Sequence, residues 1–142
     1  MMSRSRLAIV GFAVALFSTA CGVAFSAKRG EMLRTAVEAD FGPRPPDNHQ
    51  ELEAVTIRRT LLDPESGRFE FDSVTRDAIP IRPRSPTPLL VWISHLRVNA
   101  KNRFGGYIGF TPYQVAWRDG QIIAFGVVEN CGSPCVMWEY AP

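Results

Sequence analysis

The sequence predicts an α+β domain in which one or two N-terminal helices pack on an antiparallel sheet of about four strands. Apolar residues recur at helical spacing only in the first half of the chain, and strand-like runs follow in the second half. This order, without alternation of strands and helices, is typical of α+β proteins. An uncharged run precedes the first helix and adds a hydrophobic export or anchor helix. We therefore divide the chain into residues 1–27, a signal peptide or membrane anchor, and a single domain at residues 28–142.

The N-terminal run from Leu7 to Ala27 contains no charged residue and follows two arginines, Arg4 and Arg6. As a helix, its 21 residues would span about 31 Å, which matches the hydrocarbon core of a bilayer and favours an uncleaved anchor. A cleaved signal peptide is a second interpretation, because Ala24-Phe25-Ser26 supplies small residues for a cut after Ser26. In a third, Thr19-Ala20-Cys21 resembles the end of a bacterial lipobox and Cys21 is lipidated. All three routes predict an exported protein of the bacterial cell envelope, membrane-anchored or periplasmic.

Two helices are expected before the strands. Apolar residues recur at three- and four-residue steps from Gly30 to Phe41, and Gly42-Pro43 ends this pattern. Asn48 with Glu51 three residues later is typical of a capping box, and Asp63 before Pro64 marks the end of the second helix. The expected apolar face of that helix consists of Leu52, Val55, Ile57, Leu61 and Leu62. Its Val-Thr-Ile run also suits a strand.

The strand signals begin at Arg68–Asp72, where polar and apolar residues alternate, and continue in the apolar run Leu89–Val98. Between them Pro80, Pro83 and Pro86 lie three residues apart, which indicates an extended surface loop or a polyproline II recognition motif. Further along, Thr111–Trp117 and Gln121–Val128 flank the residues Arg118-Asp119-Gly120. An Asp-Gly pair between apolar runs predicts a tight β-hairpin.

Charge and histidine content exclude several classes of function. Without Arg4 and Arg6, the 16 basic residues are reduced to 14 and equal the 14 acidic ones, so the domain lacks the positive charge of a nucleic-acid-binding protein. His49 and His95 are the two histidines, and no acidic or cysteine cluster accompanies them, so we expect neither a metal site nor a cofactor. His95 is interpreted as a hydrogen-bonded histidine of the sheet. Nothing in the spacing supports a catalytic nucleophile, and we expect a protein that is not an enzyme.

Cys131 and Cys135 are separated by Gly132-Ser133-Pro134, one residue more than in the thioredoxin-type redox motif. In an oxidising compartment we expect a structural disulfide between them. A thiol redox protein that uses this pair is the alternative.

Two motifs are the most distinctive stretches of the chain. Asp63-Pro64-Glu65-Ser66-Gly67-Arg68-Phe69 comes first, and residues 98–109 read Val-Asn-Ala-Lys-Asn-Arg-Phe-Gly-Gly-Tyr-Ile-Gly. Over about residues 60–118 this pair resembles a family of small bacterial and phage-associated proteins, many of them exported or lipoprotein-like. The resemblance implies export but no activity. This chain has Leu96-Arg97 where we associate a Cys-Gly pair with the family, so a cysteine bridge typical of it would be absent or rerouted.

Read physically, the second motif predicts a specified loop with a binding surface. Glycines allow positive φ, asparagines suit tight turns, and aromatic rings beside polar groups can bind a glycan or a peptide. The residues assigned to this site are Asn99, Lys101, Asn102, Gly105, Gly106 and Tyr107. The alternative is that the rings cover the sheet. The sequence thus favours a non-catalytic binding or structural module with an envelope glycan or protein as partner, and a glycan-active enzyme is the other class kept open.

Overall fold

The computed structural model describes residues 24–130 and 134–141, which form an α+β domain with a five-stranded antiparallel sheet. The predicted class is confirmed, and the sheet has one strand more than expected. Residues 24–35 form helix α1, and His49–Arg58 form helix α2. Two short 3₁₀ turns lie at Glu38–Phe41 and Pro64–Ser66. The strands are β1 (Arg68–Pro80), β2 (Pro88–Asn99), β3 (Thr111–Arg118), β4 (Gln121–Asn130) and β5 (Pro134–Tyr140), and they lie in the sheet in chain order.

The predicted anchor helix lies largely outside the described residues, as does Cys21. Over residues 24–130 and 134–141, no helix is both long and apolar enough to cross a bilayer.

The first helix differs from its predicted span of residues 30–41. It ends at residue 35, and Val37 is extended, with φ −96° and ψ 166°. The carboxylate of Asp40 accepts a hydrogen bond of 2.8 Å from the Val37 amide, which satisfies that donor locally and starts the 3₁₀ turn Glu38–Phe41. Phe41 is buried and contacts Trp92, with ring centroids 6.1 Å apart. The end of helix α1 at residue 35 therefore allows the ring of Phe41 to point into the core.

Helix α2 begins after Asn48 as predicted, but the Asn48 side chain makes no capping hydrogen bond. The helix ends at Arg58 and not near Asp63, because both the amide and the hydroxyl of Thr60 donate to the Ile57 carbonyl. The predicted apolar face is wrong except at Ile57 and Leu61, since Leu52, Val55 and Leu62 are exposed. Glu53 is buried beside Ile57 instead.

The sheet is a meander whose central strand, β2, pairs with β1 and β3. The predicted Asp-Gly hairpin is confirmed: Asp119 and Gly120 have φ of 52° and 75°, the positive values that a type I′ turn requires. β1 is much longer than the predicted five residues. The proline segment after it is not polyproline II, because the Ile81 amide donates to the Thr87 carbonyl and Arg84 has φ 59°.

The sheet is strongly curled. In a flat sheet of five strands, four spacings would hold the two edges about 19 Å apart. Here the hydroxyl of Tyr140 on edge strand β5 donates a 2.7 Å hydrogen bond to the Pro80 carbonyl at the end of edge strand β1. The edges therefore approach each other at this end.

Side chains alternate between two faces of the curled sheet, and each face has its own core. On the covered face, Trp92, Val115 and Trp117 pack with Phe41 and Ile57 from the N-terminal elements. On the opposite face, which we call the open face, a smaller cluster consists of Ile79, Val91, Ile93, Ala116 and Ala124. Trp138 and Tyr140 pack against this second cluster from β5.

Candidate functional site

The predicted binding loop, residues 99–107, is held by its own hydrogen bonds. The amide of Asn102 donates to the Gly106 carbonyl, and the Asn102 side-chain oxygen accepts from the amides of Phe104 and Gly106. Gly105 has φ 79°, as expected for one of the two glycines, whereas Gly106 does not occupy the left-handed region. The prediction that this glycine pair provides a positive φ is therefore confirmed at Gly105.

Several side chains assigned to binding are engaged by the fold. Asn99 is buried, and the hydroxyl of Tyr107 donates to the Ser66 carbonyl at 3.1 Å. The guanidinium of Arg68 lies 4.2 Å from the Tyr107 ring centre, and the Lys101 ammonium lies 5.9 Å from it. The backbone amide of Lys101 donates a 3.0 Å hydrogen bond to the hydroxyl of Ser66, which belongs to the first motif. The two sequence motifs, residues 63–69 and 98–109, therefore contact each other in the fold through hydrogen bonds to Ser66.

Three strongly exposed apolar side chains lie in or next to this loop. The exposed fractions of Leu62, Phe104 and Ile108 are 79%, 81% and 74%, and we call these three residues the apolar rim. Leu62 and Ile108 line a pocket of ≈ 280 Å³ that contains no carboxylate among its lining residues. The convergence of acidic groups that would favour a glycan-active enzyme at this loop is therefore not found among the residues described there.

A larger concavity lies on the open face of the sheet. It consists of two adjoining pockets of ≈ 490 Å³ and ≈ 300 Å³, which share Gln114 and Val128 and which we call the open-face groove. Polar and apolar residues both line its first half, and the polar ones with charged, imidazole or amide groups are Glu70, Asp72, His95, Arg97 and Gln114. Its second half is lined by the start of α1, the end of β1, and Val136 and Trp138 of β5.

The register of the sheet explains how three strands bring these polar groups together. His95 of β2 pairs with Gln114 of β3, which pairs with Gly126 of β4, and Gly126 pairs with Trp138 of β5. Paired residues point to the same face, so these four residues form one row across the sheet. Thr75 and His95 Nε2 form a 2.9 Å hydrogen bond, which confirms the prediction of a hydrogen-bonded sheet histidine.

Gly126 allows β4 and β5 to lie close together in this row. A Cβ atom there would overlap the carbonyl oxygen of Met137 on β5, so the close approach of the two strands requires glycine. Within the described part of the chain, no hydrogen bond engages the Gln114 amide group. The row therefore presents a polar group that the fold does not use.

The charges in the groove are largely paired. Arg97 and Glu70 form a 2.6 Å ion pair. Arg29 of α1 donates from Nε and Nη2 to the Asp77 carboxylate at 2.5 to 2.9 Å and also reaches the Ala78 carbonyl. Asp72 is the one carboxylate lining the groove for which the described residues provide no ion pair.

A buried carboxyl group stabilises the covered face. Glu53 of α2 accepts hydrogen bonds from Trp117 Nε1 at 2.7 Å and from the Ser94 hydroxyl at 3.0 Å. Burial raises the pKa of Glu53 above its ordinary value of 4.5, although the two hydrogen bonds and the charge of His49 oppose this shift. Sequence analysis missed Glu53 because its partners lie on strands far along the chain. It has no access to the groove and acts as a structural link between helix and sheet.

Cys135 lies on β5 and is disulfide-bonded. Its predicted partner, Cys131, lies outside the described residues, as does the predicted lipidation site Cys21, so the pairing of Cys131 with Cys135 stays a prediction. No group of three or more His, Cys, Asp or Glu side chains within residues 24–130 and 134–141 is arranged to hold a metal ion.

Comparison of the chain with protein-family models, with curated proteins and with solved structures finds no match. The function is therefore argued from the geometry of the groove and the loop.

Proposed function

We propose that this chain is a non-catalytic binding module of the bacterial cell envelope, tethered through residues 7–27, and that its open-face groove binds a short glycan segment. The observation that carries the proposal is the row across the open face, in which the Gln114 amide group has no hydrogen-bond partner among the described residues and lies in line with His95 and Trp138. Ligand sites are typically concave and combine an apolar surface with a few oriented polar groups. The volumes of ≈ 490 Å³ and ≈ 300 Å³ are in the range of such sites.

The charges of the groove argue against an anionic ligand. Both arginines that line it, Arg29 and Arg97, are already ion-paired to carboxylates. A phosphate or carboxylate ligand would have to break one of these pairs or bind near Asp72. A neutral ligand avoids this cost.

The position of the groove argues against an extended peptide. Peptides commonly bind sheets by adding a strand at an edge, where unpaired backbone groups are available. The row from His95 through Gln114 to Gly126 lies on inner strands, whose backbone groups are paired on both sides. A ligand here is recognised by side chains alone.

A glycan fits the remaining chemistry. Its hydroxyl groups both donate and accept hydrogen bonds, which suits the amide of Gln114, the imidazole of His95 and the carboxylate of Asp72. The apolar faces of its sugar rings suit an aromatic side chain, and Trp138 lines the same groove. The ligand class that was expected at the loop is therefore proposed for the groove.

The proposal is non-catalytic because glycoside hydrolysis commonly needs two carboxyl groups with separate roles. Glu70 and Asp77 are engaged by arginines, which leaves Asp72 as the single unpaired carboxylate among the residues lining the groove. One carboxylate can bind a sugar hydroxyl but does not supply both an acid and a base.

Isothermal titration calorimetry with soluble peptidoglycan fragments tests this function. Gln114→Leu removes the amide group while keeping a similar volume, and loss of its hydrogen bonds should weaken binding by about tenfold. Gln121→Leu, the same substitution on the exposed β3–β4 turn, is the matched control and should bind like the wild type. Equal affinity of the two variants, or no binding by the wild-type protein, would contradict the proposal.

The apolar rim supports a second candidate function, docking of a protein partner. Leu62, Phe104 and Ile108 are exposed although the loop backbone is fixed, and exposed apolar clusters on ordered surfaces are typical of protein interfaces. Phe104→Ser with Ile108→Ser should abolish such docking and leave glycan binding unchanged. If the pair of substitutions reduces glycan affinity as Gln114→Leu does, the two sites are not separate.

A further inference from the structure

The folded domain begins where the uncharged run ends. The side chain of Arg29 is fixed to β1 by three short contacts with the Asp77 carboxylate and by the Ala78 carbonyl. Phe25 and Ser26, within the last residues of the uncharged run, line one pocket together with Ile79 and Pro80 at the end of β1. No flexible linker therefore separates residue 27 from the domain.

The turn that follows Pro80 lies next to this junction. We call residues 81–87 the proximal turn. Hydrogen bonds from the Ile81 amide to the Thr87 carbonyl and from the Ser85 amide to the Arg82 carbonyl, each 3.0 Å, close it. Ile81 is 50% exposed, and Arg82 and Arg84 are exposed as well. An ordered turn thus presents one exposed apolar side chain followed by an exposed arginine.

The proximal turn contains two arginines and no acidic residue of its own. No Asp or Glu occurs from Ala78 to Trp92, and Lys28 adds a further cation at the start of α1. Basic groups next to a membrane-inserted segment are attracted to anionic lipid headgroups, and a neighbouring apolar side chain can enter the headgroup layer. Both features occur at the one edge of the domain from which residues 7–27 leave it.

We propose that the proximal turn rests on an anionic lipid surface, with Ile81 in the headgroup layer and Arg82 beside lipid phosphates. This inference rests on the tether through residues 7–27 that is part of the proposed function. Contact of the proximal turn with the lipid surface would fix the orientation of the domain relative to the membrane. β1 has 13 residues and spans about 40 Å, so the loop next to Arg68 at its other end points away from the membrane.

Two exposed isoleucines provide a matched test. The full chain with Cys21→Ser is reconstituted in nanodiscs that contain phosphatidylcholine with or without phosphatidylglycerol. An environment-sensitive fluorophore is attached at Ile81→Cys or, as the control, at Ile108→Cys on the far loop. The emission of the label at position 81 should shift to the blue in anionic discs and be quenched by a lipid-borne quencher, and the label at position 108 should remain as in water.

Charge reversal distinguishes contact of the proximal turn with lipid from anchoring of the chain through residues 7–27. Arg82→Glu should abolish the blue shift at position 81 while the protein still elutes with the discs, and Arg103→Glu, the matched substitution on the far loop, should change nothing. A label at position 81 that stays water-exposed in anionic discs, or labels that shift equally at positions 81 and 108, would overturn the proposed contact of the proximal turn with lipid but not the membrane anchor. Protein that elutes free of the discs would overturn both the anchor and the lipid contact.

Discussion

The two faces of the sheet use polar residues in different ways, and strand β2 shows this within two consecutive positions. Ser94 points to the covered face, where its hydroxyl donates to Glu53. His95 points to the open face, where it lies in a groove with Gln114. On the covered face the polar atoms of Glu53, Ser94 and Trp117 satisfy one another away from water.

This difference teaches which polar groups belong to the fold and which are available to a ligand. A buried polar group without a partner lowers stability, so the buried carboxyl group of Glu53 needs partners within the fold. The open face has no such requirement, and the Gln114 amide group has no hydrogen-bond partner among the described residues. Polar substitutions on the covered face should therefore reduce stability, and polar substitutions on the open face should reduce ligand binding with little change in stability.

The largest effect is expected on the covered face. Glu53→Ala removes the acceptor of the Trp117 and Ser94 hydrogen bonds and leaves a cavity, so the free energy of unfolding should fall by about 2–4 kcal/mol. Urea denaturation measures this change. Glu51→Ala removes an exposed carboxylate from the same helix and should cost less than about 0.5 kcal/mol. If both variants lose equal stability, the Glu53 link does not hold the helix on the sheet.

A second stability effect is expected where β4 and β5 lie closest together. Gly126→Ala places a Cβ atom against the Met137 carbonyl oxygen, and separating the two strands should cost about 1–3 kcal/mol. Gly106→Ala, at a glycine with open surroundings and without positive φ, is the control and should be nearly neutral. Thermal unfolding of both variants checks this. A stable Gly126→Ala protein would mean that β5 does not approach β4 as described.

The pH dependence of stability distinguishes the two faces further. The pKa of Glu53 is raised in the folded state, so its contribution to stability is complete below its ordinary value of 4.5 and is lost as pH rises through the folded pKa. Glu53→Gln keeps the geometry without the titration. The variant should gain relative to the wild type with rising pH, by at most about 1.4 kcal/mol per pH unit, and level off above the folded pKa. A constant difference between the two proteins from pH 4 to 8 would refute this.

The smallest effect on stability is expected on the open face. Gln114→Leu removes an amide group that no described residue engages, so its free energy of unfolding should change by less than about 0.5 kcal/mol. Urea denaturation beside Gln121→Leu provides the comparison. A loss as large as that of Glu53→Ala would show that the open face is also internally completed and would remove the distinction between the faces.

The local parts of the structure could be predicted from the sequence. The turn at Asp119-Gly120 was predictable because positive φ at both positions is a property of the turn itself. The run from Leu89 to Val98 was predictable because its length and composition suit a central strand, and β2 occupies Pro88–Asn99.

The non-local parts could not. Glu53 was missed because hydrophobic periodicity places a carboxylate outside, and its partners are 41 and 64 residues away in the chain. Strand β5 was missed because it is short and follows the Cys-Gly-Ser-Pro stretch. The groove was missed because it exists only once the register aligns His95, Gln114 and Trp138 from three strands. The alternation of His95, Arg97 and Asn99 in β2 was the available signal, but the strand order was needed to use it.

The three tryptophans of the chain provide the most direct test of the claim that the open face is the binding face. The indole of Trp92 donates to the Gly42 carbonyl, that of Trp117 donates to Glu53, and Trp138 lines the groove. In a titration with soluble peptidoglycan fragments followed by ¹H–¹⁵N NMR, the indole signal of Trp138 should shift with ligand concentration, and the signals of Trp92 and Trp117 should stay in place. A titration in which the Trp138 indole does not move while the amide of Gly105 does would place binding at the loop and contradict the account.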